Sequence, residues 1–314
     1  MNYKVLITAP YMQMVIDDYR SLFDEKGIEL VIPRFQERFE EDELLEMVSD
    51  IDGVICGDDR FTERVLEAAP RLKVLSKWGT GIDSIDWEAC KRRSVAVRNP
   101  PGAFNEPVAD TVMGYILCFA RQLPWLDRQI REGQWKKVLY SALNECTLGV
   151  IGVGNVGKVV VRRAGAFGMR VLGNDLVEMP GDFLTETGIE MVSKERILSE
   201  SDFISLNCDL NDTSYHLVSD RELDIVRPSA VIINTSRGPV IDEQALVRAL
   251  REKRIAGAAL DVFEVEPLPD SSPLCKMDNV MLAPHNANSS KKAWDGVHRN
   301  TINNLFEVLE DRGK

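Results

Sequence analysis

Short aliphatic and β-branched runs alternate with longer amphipathic stretches along almost the whole chain. "KVLIT", "IELVI", "DGVIC", "KVLSK" and "VAVRN" have the length and composition of buried strands. Between them lie helical patterns such as "MVIDDYRSLFDEKG", which closes on a glycine as helix C-termini often do. Strands alternating with helices predict βαβ units and parallel sheets.

The stretch "NPPGAFN" at 99–105 breaks this rhythm with Pro and Gly. A long helix, "EPVADTVMGYILCFARQL", follows. The alternation then restarts through "LGVIGVG", "MRVLGND", "EMVS", "FISLN", "AVIINTS", "AGAALDV" and "VMLAPH". The restart predicts a second α/β domain, from about residue 99 to about 289. A last amphipathic helix, "KKAWDGVHRNTINNLFEVLED", can pack back on either domain.

Composition narrows the class. The 314 residues suit two domains, and 44% hydrophobic content is enough for sizeable cores. The opening "MNYKVLITAP" has too short an apolar run for a signal peptide, and no window is long and apolar enough for a membrane span. Six cysteines without a CxxC pair argue against a zinc site or a disulfide framework, and for a reducing cytoplasm. The net charge of −12, concentrated in "ERFEEDELLEMVSD", reads as a solvated helix face. It disfavours nucleic acid and anionic membranes as partners. A small anionic substrate would need local positive groups, so arginines at strand ends carry weight.

The most informative stretch is "LGVIGVGNVGKVVVRRAGAFGMRVLGNDL". Gly152, Gly154 and Gly157 form GxGxxG between a strand and a helix. The first glycine permits the tight turn, the second a close approach of backbone to a pyrophosphate, and the third close helix–strand packing. Asn155 and Val156 open the helix, whose amides and dipole favour phosphate. Asp175 follows Gly157 by 18 residues, near the spacing of about 20 for a carboxylate that takes the ribose hydroxyls. That carboxylate repels a 2′-phosphate, so the expected cofactor is NAD rather than NADP.

One further stretch stands out. In "MLAPHNANSS" an apolar run stops at Pro284 and His285, one of only three histidines, follows. His216 and His298 read as structural. Taken alone, His285 would too.

These motifs, in this order, resemble the D-isomer-specific 2-hydroxyacid dehydrogenases. The resemblance covers "KWGTGIDSID", "NPPGAFNEPVADTVMGYIL", "LGVIGVGNVG", "ESDFISLNCDLNDTSYHLV", "VIINTSRGPVIDEQALVRAL", "AGAALDVFEVEPL" and "APHNANSS", nearly the whole chain. It implies an α/β protein of two Rossmann-like domains. Residues 1–98 with 290–314 would form a flavodoxin-like substrate domain, and 99–289 an NAD-binding Rossmann domain with a parallel sheet. It also implies an active site in the cleft between them and a homodimer paired through the Rossmann domains.

The implied activity is hydride transfer between NAD and a small anionic 2-hydroxy or 2-oxo acid. The implied catalytic residues are Arg237, Glu266 and His285. Each suits its task. An imidazole of unperturbed pKa about 6.5 can donate the proton that a carbonyl needs on reduction. A neighbouring carboxylate holds the ring and favours its charged form. A guanidinium grips a carboxylate with a planar fork. By the same resemblance, Thr235 and Ser236 line the nicotinamide side, Asp261 takes the carboxamide, and Cys208 and Thr213 touch the adenosine half. Trp78, Gly79 and Thr80 form a loop whose amides bind the substrate carboxylate. Trp78 also reads as a core aromatic.

There are departures. Asn207 and Asp209 stand where the family usually has His and Pro, and Asp110 replaces a more usual Glu. The loop Asn286-Ala287-Asn288 is unusually polar, and Arg60 sits out of register for a substrate phosphate. Two other readings stay open. One is a corepressor-like NADH sensor with little turnover. The other is a phosphite-type dehydrogenase, disfavoured by Thr80 where such enzymes use Lys. Glu266, where formate dehydrogenases have Gln, disfavours that activity.

Overall fold

Twelve strands account for the apolar runs, and they sort into two wholly parallel sheets in the computed structural model, which describes residues 3–311. The chain divides into two compact units. One extends to Ala103 and resumes at Ser290; the other is Phe104–Ser289.

The first unit contains β1 (Lys4–Ile7), β2 (Glu29–Val31), β3 (Gly53–Cys56), β4 (Val74–Lys77) and β5 (Ala96–Arg98), in the order β2-β1-β3-β4-β5. The chain winds outward to β2 and then returns past β1, so the strand order reverses between β1 and β3. Such reversals open a crevice at the carboxyl ends of the strands. The terminal helix Lys291–Asp311 belongs to this unit. Leu305 lies over Gly53 and Val74, and a Cβ on Gly53 would come within 2.8 Å of Leu305 Cδ1. Glycine there lets the helix sit directly on the strand. Ser76 Oγ donates to the Thr301 carbonyl at 2.7 Å, closing the same contact.

The acidic stretch forms only a short helix, Glu41–Leu45, opened by a capping box at Glu40. Its carboxylates stay at the surface, and several are paired there. Glu40, Glu41 and Glu43 each pair with an arginine, Arg38, Arg64 and Arg34, at 2.8 Å.

The second unit contains β6 (Thr147–Ile151), β7 (Arg170–Asn174), β8 (Glu190–Met191), β9 (Phe203–Leu206), β10 (Val231–Asn234), β11 (Gly257–Leu260) and β12 (Val280–Leu282). Their order is β12-β11-β10-β9-β6-β7-β8, a doubly wound sheet that reverses between β6 and β9. Strand periodicity fills both faces. Leu148, Val150, Val231, Ile233 and Ala259 meet Val112, Ile116 and Phe119 of helix Asn105–Arg121 on one face. Ile151, Ile204, Ile232, Ala258 and Leu260 meet Leu246 and Leu250 on the other. Being covered on both sides explains why these strands read as continuous apolar runs rather than alternating ones. Among the described residues, no helix is long and apolar enough to cross a membrane. All six cysteines are outside disulfides.

Candidate active site

The first and third motif glycines of the second unit fill the packing roles that their spacing predicts. Gly152 has φ +88, and a Cβ there would lie 2.6 Å from the Cys208 nitrogen. A Cβ on Gly157 would lie 2.1 Å from the Gly152 carbonyl oxygen, so only glycine lets the helix start this close to the turn. Gly154, in contrast, faces open space, with nothing within 4 Å of where its Cβ would be. That gap adjoins the first turn of helix Asn155–Ala166, where the amides of Asn155, Val156 and Gly157 lack intrahelical acceptors. Space and donors together fit a pyrophosphate.

Asp175 stands just past β7. Its Oδ2 accepts the Val153 amide at 2.6 Å and its Oδ1 the Val177 amide at 2.9 Å. The carboxylate is thereby aimed beside the glycine turn, with lone pairs left for hydroxyl donors. Cys208 follows β9 beside Gly152, and burial pushes its thiol up to about 11. Thr213 is exposed, its amide and hydroxyl both donating to Asn211 Oδ1, at 2.8 and 2.6 Å. The departures at the adenosine end and in the long helix are absorbed locally: Asn207 bonds Ser205, and Asp110 pairs with Arg163 at 3.2 Å.

A second group of residues sits at the carboxyl ends of three adjacent strands, β10, β11 and β12. After β10, the buried Asn234 organises the turn. Its Oδ1 accepts the Ser236 amide at 3.1 Å and hydroxyl at 2.8 Å, and its Nδ2 donates to the Arg237 carbonyl at 2.8 Å. Arg237 Nη1 donates to the Ser236 carbonyl at 2.8 Å. The Thr235 hydroxyl is buried with no partner among the described residues. An orphaned hydroxyl at this place fits a site completed by a ligand.

After β11, the Asp261 amide donates to the Asn234 carbonyl at 3.0 Å. The Asp261 carboxylate is buried and accepts the amides of Asn286 and Ala287, both at 2.9 Å. Burial pushes this carboxyl above the ordinary range, against the two amides and His285, which pull it down. The carboxylate therefore shapes the loop that follows β12. The His285 amide completes the tie by donating to the Asp261 carbonyl at 2.7 Å.

His285 has φ +49, and its Nδ1 lies 2.9 Å from Glu266 Oε2. The other carboxylate oxygen, Oε1, accepts the Phe263 amide at 2.9 Å. This is the imidazole–carboxylate contact expected of an oriented acid–base pair. Sequence reasoning missed Asn234. The available signal was an Asx residue ending a buried strand two positions before a serine, a pattern that favours a side-chain-closed turn.

In the first unit, the loop after β4 carries Trp78, Gly79 and Thr80. The Trp78 ring is buried, and its amide donates to the Cys56 carbonyl at 2.8 Å. Gly79 has φ +130, a backbone conformation open to glycine. Asn99 Nδ2 holds the Thr80 carbonyl at 2.6 Å. Just before the loop, the buried Lys77 ammonium bonds Asp58 Oδ1 at 2.7 Å, a charge the sequence reading passed over. Arg60 Nε lies 3.8 Å from Glu40.

A family model for the NAD-binding domain of D-isomer-specific 2-hydroxyacid dehydrogenases matches residues 113–287. The chain belongs to that family. A glyoxylate reductase from Korarchaeum cryptofilum is 37% identical over 296 residues, covering 90% of this chain and 89% of that one. A hydroxypyruvate reductase from Thermotoga maritima is 34% identical, covering 87% of this chain and 90% of its own length. The crystal structure of a D-lactate dehydrogenase from Aquifex aeolicus, complexed with NAD and lactic acid, superposes with a TM-score of 0.89 at 26% identity, covering 98% of this chain and 96% of that one. This dehydrogenase is thus an NAD-dependent oxidoreductase that interconverts 2-hydroxy and 2-oxo acids, on the α/β fold its sequence implied. These relatives lend no support to the sensing or phosphite readings.

Proposed function

We propose that this dehydrogenase reduces a short 2-oxo acid of the glyoxylate or hydroxypyruvate kind to its D-2-hydroxy acid, with His285 as the proton donor. The observation that carries the reading is the 2.9 Å contact between His285 Nδ1 and Glu266 at the mouth of the parallel sheet. The naming of relatives as glyoxylate and hydroxypyruvate reductases supports the substrate class.

Bound NADH supplies the hydride. His285 gives the balancing proton from Nε2 to the carbonyl oxygen, so that C2 gains hydride and the oxygen gains a proton. Glu266 fixes the ring through Nδ1 and favours its charged form before transfer. Arg237 grips the carboxylate and polarises the carbonyl. In oxidation the same imidazole, neutral, takes the hydroxyl proton.

For the cofactor, Asn155, Val156 and the three motif glycines hold the pyrophosphate, and Asp175 takes the ribose hydroxyls. Cys208 and Thr213 border the adenosine. Thr235 and Ser236 line the nicotinamide side, and Asp261 is assigned its carboxamide. In the first unit, the amides of the Trp78-Gly79-Thr80 loop are assigned to an anionic substrate group.

A second copy of the chain is the proposed partner. Leu123, Ile130, Trp135 and Leu139, all more than half exposed, give the second unit an apolar flank suited to one. Light scattering behind a sizing column reads the mass directly. Six cysteines outside disulfides support a cytoplasmic setting.

The deciding experiment is loss of NADH absorbance with glyoxylate, hydroxypyruvate, pyruvate, a branched 2-oxo acid and phosphohydroxypyruvate. Turnover on the short acids, lost by about 100-fold or more in His285→Ala with NADH binding retained, is the expected result. Undiminished turnover in that variant sinks the assignment of the proton donor. A flat trace on every acid sinks the proposed reaction.

A further inference from the structure

Glu264 and Glu266 flank the exposed Val265, and each carboxylate reaches a different imidazole. Glu266 Oε2 meets His285 Nδ1 at 2.9 Å, and Glu264 Oε1 meets His216 Nε2 at 2.7 Å. The two contacts lie two residues apart, so one short stretch is held between two histidines. We infer that His216 is a positioning residue for catalysis: by fixing Glu264, it sets the segment that aims Glu266 at His285. The inference rests on the assignment of His285 and Glu266 as the proton-transfer pair.

Each end of the connection is anchored. The His216 amide donates to the Pro239 carbonyl at 2.8 Å, which ties it to the turn just beyond Arg237. The neighbouring Gly238 abuts the segment itself, since a Cβ there would fall 1.9 Å from the Phe263 carbonyl carbon. The Tyr215 ring stacks on the imidazole at 4.1 Å and 14°. His216 adopts φ +48, nearly the φ +49 of His285. A non-glycine residue held there is strained, and persists where its surroundings over-determine it.

Electrostatics explains why an imidazole suits the place. Glu243 also touches Glu264. The Glu264 amide donates to Glu243 Oε2 at 3.2 Å, and the Glu243 amide reaches Glu264 Oε1 at 3.4 Å. Burial raises the Glu243 carboxyl, the Glu264 amide that it accepts lowers it, and the Glu264 charge raises it again. Two carboxylates brought together this way repel. A hydrogen-bond donor on Glu264 offsets that repulsion and keeps the segment in place. Deleting the imidazole removes the contact that holds the Glu264 side chain against the pull of Glu243, and so loosens the segment that carries Glu266.

The test compares His216→Phe, which keeps a ring but not the bond, with His216→Gln, which restores a donor. The chain has three histidines, so their ring resonances can be assigned by substitution and titrated by NMR. In His216→Phe the His285 ring titration is expected to move to lower pH, toward that of Glu266→Gln. kcat should fall about 10- to 100-fold, the scale of a small misplacement at a reacting centre, while the KM for NADH holds. His216→Gln should recover most of both. A folded His216→Phe protein with a wild-type His285 titration overturns the inference. So does one that loses melting temperature and NADH affinity together with kcat while the titration stays put. The ring titration needs no substrate, so a protein that turns over no 2-oxo acid yet shows the shift would fault the proposed reaction and leave the positioning role standing.

Discussion

The carboxylate of Asp261 accepts the backbone amide of Ala287 at 2.9 Å, and its other oxygen accepts that of Asn286 at the same distance. The loop that presents His285 is therefore built around a buried side chain on the neighbouring strand. Asp261→Ala strands the buried amide of Ala287, at a cost of about 1–3 kcal/mol, and the partly buried amide of Asn286. We expect a clear drop in melting temperature and at least a 10-fold loss of kcat. Asp261→Asn keeps one acceptor and should fall between the two. Stability and turnover both at wild-type level in Asp261→Ala would show that the loop holds its shape by other means.

Asp175 supports a prediction about cofactor choice. Its oxygens are aimed by the amides of Val153 and Val177, and the proposed ribose site puts its charge where a 2′-phosphate would have to sit. Asp175→Ala should weaken NADH binding and narrow the gap between NADH and NADPH by about 10-fold or more, judged from the loss of a charged acceptor. Fluorescence titration with both cofactors measures it. An unchanged ratio would remove this carboxylate from the ribose site.

Gly157 tests the turn. A methyl group there would press to 2.1 Å from the Gly152 carbonyl oxygen, which is backbone and cannot step aside. Gly157→Ala should displace the helix N-terminus, cost about 1–3 kcal/mol of stability by overpacking, and reduce NADH affinity more than 10-fold. Gly165→Ala in the same helix, where nothing lies within 4 Å, is the control and should be neutral or stabilising. Equal behaviour of the two variants would refute the packing argument.

His298 governs a stability profile rather than chemistry. It is buried near the rings of Trp78 and Tyr19, and burial pushes its imidazole below the ordinary value of 6.5 despite the opposing charge of Asp295. The unfolded chain therefore binds a proton that the folded chain refuses. Stability is complete above pH 6.5 and falls as pH drops from there toward the lower folded value, by at most about 1.4 kcal/mol per pH unit. In His298→Gln this contribution disappears, so the melting temperature should drop less between pH 7.5 and pH 5.5 than in the wild type. Parallel profiles would mean that other groups set the acid response.

The strands and the glycine turn were legible because their signals are local. A run such as "VIINTS" declares its own burial, and the turn glycines sit within six residues of one another. His285, Glu266 and Arg237 could be proposed only through the order of whole motifs. Any one of them alone reads as an ordinary surface or core residue. The link from His216 to Glu264 was out of reach, because it joins residues 48 apart whose meeting depends on the closure of the sheet. The buried state of Asp261 was hidden for a similar reason: nothing near it in sequence announces that the amides of Asn286 and Ala287 will cover it. The exposed pairing of Glu40, Glu41 and Glu43 with arginines was also hidden, because composition counts charges and does not see partners.

β12 is the outermost strand of its sheet, only three residues long and never fully buried. His285 hangs just beyond it. Edge segments open at lower free energy than the sheet centre. The proposed proton donor thus rides on the part of the framework that frays first, while the glycine turn is set on interior strands β6 and β9. Warming should separate the two capacities. The protein would go on holding its nucleotide over a range of temperature in which it has already ceased to turn over, and cooling would bring the lost rate back without any refolding of the whole.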